Sequence, residues 1–215
     1  MNILDTIVAH KRMEVAARKA GTPAAALEKQ EGFNRKVLSL KEFLLNDART
    51  GIIAEFKRKS PSKGLINGTA DVVEITSAYA KYASGLSVLT DENFFGGSSA
   101  NLIAARVNQV PILRKDFIVE EYQILEARAM GADVILLIAA CLTPEEVKRL
   151  ATFATQLGLE VLLELHDEEE LAHICDETIL VGINNRNLKT FKVDIERSLA
   201  MAQRIPENRI KIAES

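Results

Sequence analysis

Cysteine, histidine and surplus positive charge are all scarce in this sequence, and each scarcity removes a class of function. Only Cys141 and Cys175 occur, each beside apolar residues, with neither a metal-ligand spacing nor a disulfide framework, so both read as packing residues. A metal site would want clustered histidines and carboxylates, and His10, His166 and His173 supply no such cluster. Lys and Arg number 27 against 30 Asp and Glu, a net charge of -3, so no large basic surface points to nucleic acid or anionic lipid. No apolar run approaches the roughly 20 residues that span a membrane. The start, Met1-Asn2-Ile3-Leu4-Asp5, lacks the charged-then-apolar order of a signal peptide. What remains is a cytoplasmic protein with a small-molecule partner, and 47% hydrophobic content over 215 residues fills one sizeable core.

From Ile3 to about Ala20, apolar residues Ile3, Leu4, Ile7, Val8, Val15 and Ala16 recur at mostly helical spacing, with Lys11, Arg12, Glu14 and Lys19 between them. After a polar region to about Asp47, short apolar runs alternate with amphipathic segments, the pattern of βαβ units and a parallel sheet. Strands are expected at Ile52–Arg58, Leu86–Asp91, Pro111–Phe117, Val134–Ala140, Glu160–His166, Leu180–Arg186 and Arg209–Ser215. Helices fit between them at Val72–Ser84, Ser99–Asn108, Glu120–Met130, Pro144–Leu157, Glu168–Cys175 and Ile195–Arg204. Thr143 and Glu146 form a capping box, Pro144 takes the first helical position, and Gly158 stands where a left-handed residue ends the helix. Gly85 and Gly131 read as the same stop signal. A doubly wound sheet would carry a glycine-rich phosphate turn after its first strand, whereas the turn here reads Lys57-Arg58-Lys59-Ser60-Pro61-Ser62-Lys63-Gly64. The expected fold is therefore an α/β TIM barrel, (β/α)8 in type, built as one domain. Residues 1–47 are its N-terminal helical extension and residues 48–215 the barrel through strand seven.

Alternate residues of a strand share a face, which aims several charges at the barrel interior: Glu55 and Lys57 on the first strand, Lys115 on the third and Glu164 on the fifth. Asn184 and Arg186 share a face near the end of the sixth. Burying an unpaired charge costs several kcal/mol, so each must be paired, near the wet mouth, or both. All lie in the C-terminal halves of their strands, where barrel sites are built. The alternative is an ion network that merely plugs the barrel. His166 follows Glu164 by two and reads as a support for it, while His10 and His173 read as solvent-facing. Asp167-Glu168-Glu169-Glu170 reads as an acidic first helical turn.

These strand ends also carry a signature. Ile53-Ala54-Glu55-Phe56-Lys57-Arg58-Lys59-Ser60-Pro61-Ser62-Lys63-Gly64 closely resembles the most characteristic motif of the indole-3-glycerol phosphate synthases. Ser87-Val88-Leu89-Thr90-Asp91 with Phe94-Phe95-Gly96-Gly97-Ser98 resembles the family's second strand and loop, and Leu113-Arg114-Lys115-Asp116-Phe117-Ile118 its third. Gly131-Ala132-Asp133, Glu164-Leu165-His166-Asp167, Gly182-Ile183-Asn184-Asn185-Arg186-Asn187-Leu188 and Ala213-Glu214-Ser215 continue the series in the family's order. The leading helix, with Ile7, Lys11, Glu14 and Val15, is similar to the family's N-terminal extension.

The resemblance implies closure of 1-(2-carboxyphenylamino)-1-deoxyribulose 5-phosphate to indole-3-glycerol phosphate with loss of carbon dioxide and water, without a cofactor. It casts Lys115 as the general acid at the substrate carbonyl and Glu164 as an acid/base partner in the loss of water. Lys57, oriented by Glu55, would hold the substrate's carboxylate or phosphate, and Asn184 its hydroxyls. Phe95, Phe117 and Leu136 would wall the aromatic ring, with Arg186, Glu214 and Ser215 also binding substrate and Ser60 in a lid loop. The isomerase of the preceding pathway step would not be expected to carry the Glu55–Ser62 block or the long leading helix.

The family continues past Ala213-Glu214-Ser215 with an eighth βα unit, whose loop helps to cradle the phosphate, so the expected barrel lacks its last βα unit. The complete enzyme is expected to be monomeric. A barrel ending at strand seven leaves strand edges unpaired, and the other reading is a truncated, non-catalytic barrel that binds a phosphorylated ligand or self-associates. The 215 residues alone are therefore expected to show little synthase activity and to associate, and a family-like C-terminal segment to restore turnover. Size measurement and an assay for indole-3-glycerol phosphate on both forms test this, and a stable, fully active short form would refute it.

Overall fold

A computed structural model of the chain describes residues 3–186 and 193–214. The leading helix α1 (Ile3–Gly21) buries Ile7, Lys11 and Val15, spaced four apart on one face. Short helices at Ala24–Leu27 and Leu40–Leu44 then lead into seven strands. These are β1 (Ile53–Phe56), β2 (Gly85–Leu89), β3 (Ile112–Lys115), β4 (Val134–Ile138), β5 (Glu160–Leu165), β6 (Leu180–Asn184) and β7 (Ile210–Glu214). Helices α2 (Val72–Ala80), α3 (Ser99–Ala105), α4 (Glu121–Met130), α5 (Pro144–Gln156) and α6 (Ile195–Arg204) lie between strands. The strands form one parallel sheet in sequence order, β1 through β7.

Strand parity sorts the core into two layers. Leu86, Val88, Ile112, Ile135, Leu137, Val161, Leu163, Val181 and Ile183 face the helices and pack with Ile124, Val147, Leu150 and Met201. Their neighbours Leu113, Val134, Leu136, Ile138, Leu162 and Leu180 pack together on the other side, joined there by Ile53 from β1 and by Ile210 and Ile212 from β7. First and last strands reach one interior cluster only if the sheet curls. The seven strands thus follow the course of a (β/α)8 barrel.

The helix ends follow the sequence rules closely. Thr143 and Glu146 complete the capping box of α5, while Gly131 (φ 86°) and Gly158 (φ 77°) hold the left-handed positions that close α4 and α5. Gly85 is a correction. It opens β2 rather than stopping a helix, because a Cβ there would stand 2.6 Å from Leu40 Cδ1, and only glycine lets the extension pack so close. The expected helices at 72–84 and 99–108 end earlier, at Ala80 and Ala105. The stretch expected as a helix over 168–175 is a six-residue 3₁₀ turn, Glu168–His173. Glu170 folds back to the amide of His166 (2.5 Å), and the backbone is already extended at Ile174.

Two carboxylates tie the extension under the barrel. Asp133 is fully buried and accepts from the amides of Leu38 and Ile112, both at 2.8 Å, while pairing with Arg35 and Arg106. Glu160, at the start of β5, takes the Ser39 hydroxyl at 2.5 Å and the Lys41 amide at 3.1 Å. Asp133→Ala strips two arginines and two amides of their acceptor, so an unfolding free energy lower by about 3 kcal/mol is expected. Denaturant titration of the variant checks this, and a loss below about 1 kcal/mol would show that water replaces the carboxylate.

Candidate functional site

Because parity decides direction, charged residues at the C-terminal ends of β1, β3, β5 and β7 meet inside the sheet. Lys115, the last residue of β3, sends its Nζ to within 3.0 Å of Glu164 Oε2 on β5 and 2.6 Å of Glu214 Oε2 on β7. In a flat sheet β3 and β7 would stand ~19 Å apart, four spacings of about 4.8 Å, so this triad is a direct product of the curl. Asn184 on β6 donates its amide to Glu164 Oε1 at 2.9 Å. On β1, Lys57 pairs with Glu55, and Ser87 of β2 donates to Glu55 at 3.4 Å.

Lys115 is the cation shared by two acids. Burial alone would lower its pKa, but Glu164, Glu214 and Glu55 outweigh burial and hold the ammonium well above its ordinary range. Glu164 is pushed the opposite way. Burial favours its neutral form, yet Lys115, His166 and Asn184 together keep it ionised far below the usual carboxylate range. Glu214 is raised, by burial first and then by the charges of Glu164 and Glu55, against the pull of Lys115. Of the two acids on Lys115, Glu214 is therefore the easier to protonate.

Gly182 makes room for this arrangement, since a Cβ on it would come within 2.1 Å of Glu214 Oε1. Its role escapes sequence reading because glycine leaves no chemical mark on a strand face. Ser87 was likewise not foreseen, although its parity on β2 matches that of Lys115 on β3.

Above the triad is a cavity of about 1110 Å³, lined among others by Glu55, Lys57, Ser60, Lys115, Glu164 and Glu214. Its apolar side holds Leu136 and two rings, Phe95 and Phe117, tilted by 39° with centroids 6.0 Å apart. A two-stranded hairpin, Lys59–Ser60 with Gly64–Leu65, follows β1. Ser60 is buried in it and accepts from the Lys63 amide at 3.2 Å. Arg186, past β6, reaches Ser62 of the hairpin at 3.4 Å, and its own amide donates to Asn184 Oδ1 at 3.0 Å. The structure thus gathers Lys115, Glu164, Glu55, Lys57, Asn184, Ser60, Phe95, Phe117, Leu136, Arg186 and Glu214 around one cavity, while Ser215 lies outside the described residues.

The other histidines depart from expectation. His10 is half-buried against Phe94, with Nε2 2.8 Å from Asn93 Nδ2, and His173 is wedged between the Glu170 and Leu142 carbonyls at 3.0 and 2.9 Å. Neither faces solvent freely, because each closes a loop against its neighbour. Cys141 is a packing residue whose thiol burial pushes up to about 12. Among the described residues no helix is long and apolar enough to cross a membrane.

His166 backs the triad, with Nε2 3.1 Å from Glu164 and Nδ1 3.7 Å from Glu170. Burial would lower its pKa, but the two carboxylates raise it from 6.5 to about 9. The folded chain keeps a proton that the unfolded chain releases, so this stabilisation is complete below pH 6.5 and is lost as pH rises through about 9. Unfolding free energy should therefore fall across that window, and less steeply in His166→Gln. Equal slopes in the two proteins would refute the assignment.

The chain matches the family model for indole-3-glycerol phosphate synthase over residues 4–215. It is 48% identical over 217 residues to the indole-3-glycerol phosphate synthase of Bacteroides thetaiotaomicron, covering all of this chain and 83% of that protein. The proteins of the same name from Dechloromonas aromatica and Chromobacterium violaceum are 46% and 45% identical, again over all of this chain and over 84% and 83% of theirs.

Proposed function

The chain belongs to the indole-3-glycerol phosphate synthase family, carboxy-lyases of tryptophan biosynthesis, and from that premise we propose how its residues divide the ring closure. The substrate is a small phosphorylated molecule, 1-(2-carboxyphenylamino)-1-deoxyribulose 5-phosphate. The aryl carbon bearing the carboxylate attacks the ketone carbon, whose oxygen takes up a proton. The carboxylate then leaves as carbon dioxide and returns its electron pair to the ring. Finally the new hydroxyl departs as water while the carbon beside nitrogen gives up a proton.

The observation that carries this reading is the ammonium of Lys115, held between two carboxylates below an aromatic-walled cavity. Lys115 protonates the ketone oxygen. Its raised pKa is no obstacle, because the alkoxide formed by carbon attack is more basic than an amine, and the carboxylates keep the donor charged between turnovers. Glu164, ionised at neutral pH, is the base that accepts a proton during loss of water. Lys57, oriented by Glu55, holds the substrate's carboxylate or phosphate and assists the departing hydroxyl. Asn184 binds the sugar hydroxyls, while Phe95, Phe117 and Leu136 wall the ring. Arg186 helps with the anionic groups, Ser60 belongs to the lid hairpin, and Glu214 and Ser215 complete the substrate-binding set. The enzyme acts as a cytoplasmic monomer, and the net charge of -3 supports the absence of a nucleic-acid or anionic-membrane partner.

Lys115→Ala should cost turnover by about 10²-fold or more while product binding persists, since general acid catalysis typically supplies roughly 10² to 10⁴. Glu164→Gln keeps the shape of the side chain and removes its charge and its capacity to accept a proton, so ring closure should stall. Steady-state kinetics with a product titration decide both, and near-normal turnover in either variant removes that residue from the mechanism.

A further inference from the structure

On the far face of β3 lies an ion cluster that the ring closure does not use. Arg114 and Asp116 flank Lys115 in sequence and pair with each other away from the interior triad, where Lys11 of α1 meets Asp116. Lys11 has no exposed surface at all. Its Nζ lies 2.8 Å from Asp91 Oδ2, 3.0 Å from Asp116 Oδ1 and 3.0 Å from Glu14 Oε2. Asp91 follows β2, and its Oδ1 accepts the amides of Phe94 at 2.8 Å and Phe95 at 3.2 Å. Asp116 follows β3, and its Oδ1 accepts the amide of Phe117 at 2.8 Å while Oδ2 takes the Thr90 hydroxyl at 2.6 Å. One ammonium therefore fixes two carboxylates, and each carboxylate fixes the backbone of one ring in the cavity wall.

Packing alone does not explain a lysine here. Its neighbours on the same helical face, Ile7 and Val15, are apolar, and an apolar side chain at position 11 would avoid the desolvation of a buried charge, several kcal/mol per ion. What the ion adds is direction. A methyl group cannot orient two carboxylates: without the ammonium Asp91 loses its only cation among the described residues, and Asp116, still held at Oδ2 by Arg114 and Thr90, loses the partner of the Oδ1 that accepts the Phe117 amide.

We propose that Lys11 is a positioning residue for the aromatic subsite: acting from α1 through Asp91 and Asp116, it sets the spacing and tilt of Phe95 and Phe117 and hence the fit of the substrate's anthranilate ring. This rests on the reading above that those two rings contact the substrate. Small displacements of a binding wall are costly, so Lys11→Met should raise KM about tenfold with kcat changed less than about threefold. Lys11→Met/Asp116→Asn restores the charge balance of the cluster and keeps a carbonyl oxygen for the Phe117 amide. It should regain most of the lost thermal stability yet keep the raised KM.

The experiment is steady-state kinetics and thermal unfolding of the full chain, carrying its family C-terminal segment if turnover requires it, in these variants and in Phe95→Ala and Phe117→Ala. An unchanged KM in Lys11→Met, or a KM that recovers together with stability in the double variant, would overturn the clamp. If Lys11→Met does not fold, the double variant is compared with Asp116→Asn alone by the same criterion. An unchanged KM in both phenylalanine variants would instead overturn the premise that the rings contact substrate, which separates the two failures.

Discussion

The contact on which the mouth depends is the ammonium of Lys115 suspended between Glu164 and Glu214, because it exists only when β3, β5 and β7 face one another across a curved sheet. Each partner solves a problem for the others. Two buried carboxylates this close would repel, and a buried lysine without them would discharge. Together they keep a donor charged, one acid ionised and another easier to protonate, with all three side chains mostly withdrawn from water beneath the cavity. Gly182 is part of the same solution, since the Glu214 carboxylate occupies the volume a side chain there would need.

β3 carries charge on both faces, which is rare for a strand covered by helices. Inward it offers Lys115, and outward Arg114 and Asp116, which join Thr90, Glu126 and, through Lys11, the leading helix. Such a pair of networks back to back leaves β3 little freedom to slide or twist. A sliding β3 would pull Lys115 from its acids on one side and break the aspartate contacts on the other.

Strand order, parity and the ends of two helices were legible in the sequence because they follow local rules: alternation set the two layers, Gly131 closed α4, and Thr143, Glu146 and Gly158 marked the two ends of α5. The charged residues of the mouth were legible for a related reason, since a charge at an inward position has few inexpensive explanations. What escaped notice depends on distant partners. That Lys115 is shared between β5 and β7 follows from closure, not from its neighbours in the chain. Gly85 looked like a helix stop because the sequence cannot show that Leu40 comes to lie against it. Lys11 looked like an ordinary polar residue of an amphipathic helix, and no local pattern says that two of its three carboxylates arrive from 80 and more residues away.

The Asp133 and Glu160 carboxylates at the base of the sheet and the Glu164 and Glu214 carboxylates of the interior triad are bound in different ways, and the difference fits their tasks. At the N-terminal end Asp133 and Glu160 accept backbone amides, which cannot leave without unfolding the segments that carry them. At the C-terminal end Glu164 and Glu214 are held by side chains, Lys115 and Asn184, which can trade a carboxylate for a ligand atom at little cost to the fold. The extension touches both regimes. Residues 35–41 are locked beneath the strands, while α1 climbs to the mouth and delivers Lys11 behind the aromatic wall. Anchored at the fixed end and reaching the adjustable one, it is placed to hold the mouth in register with the base of the barrel.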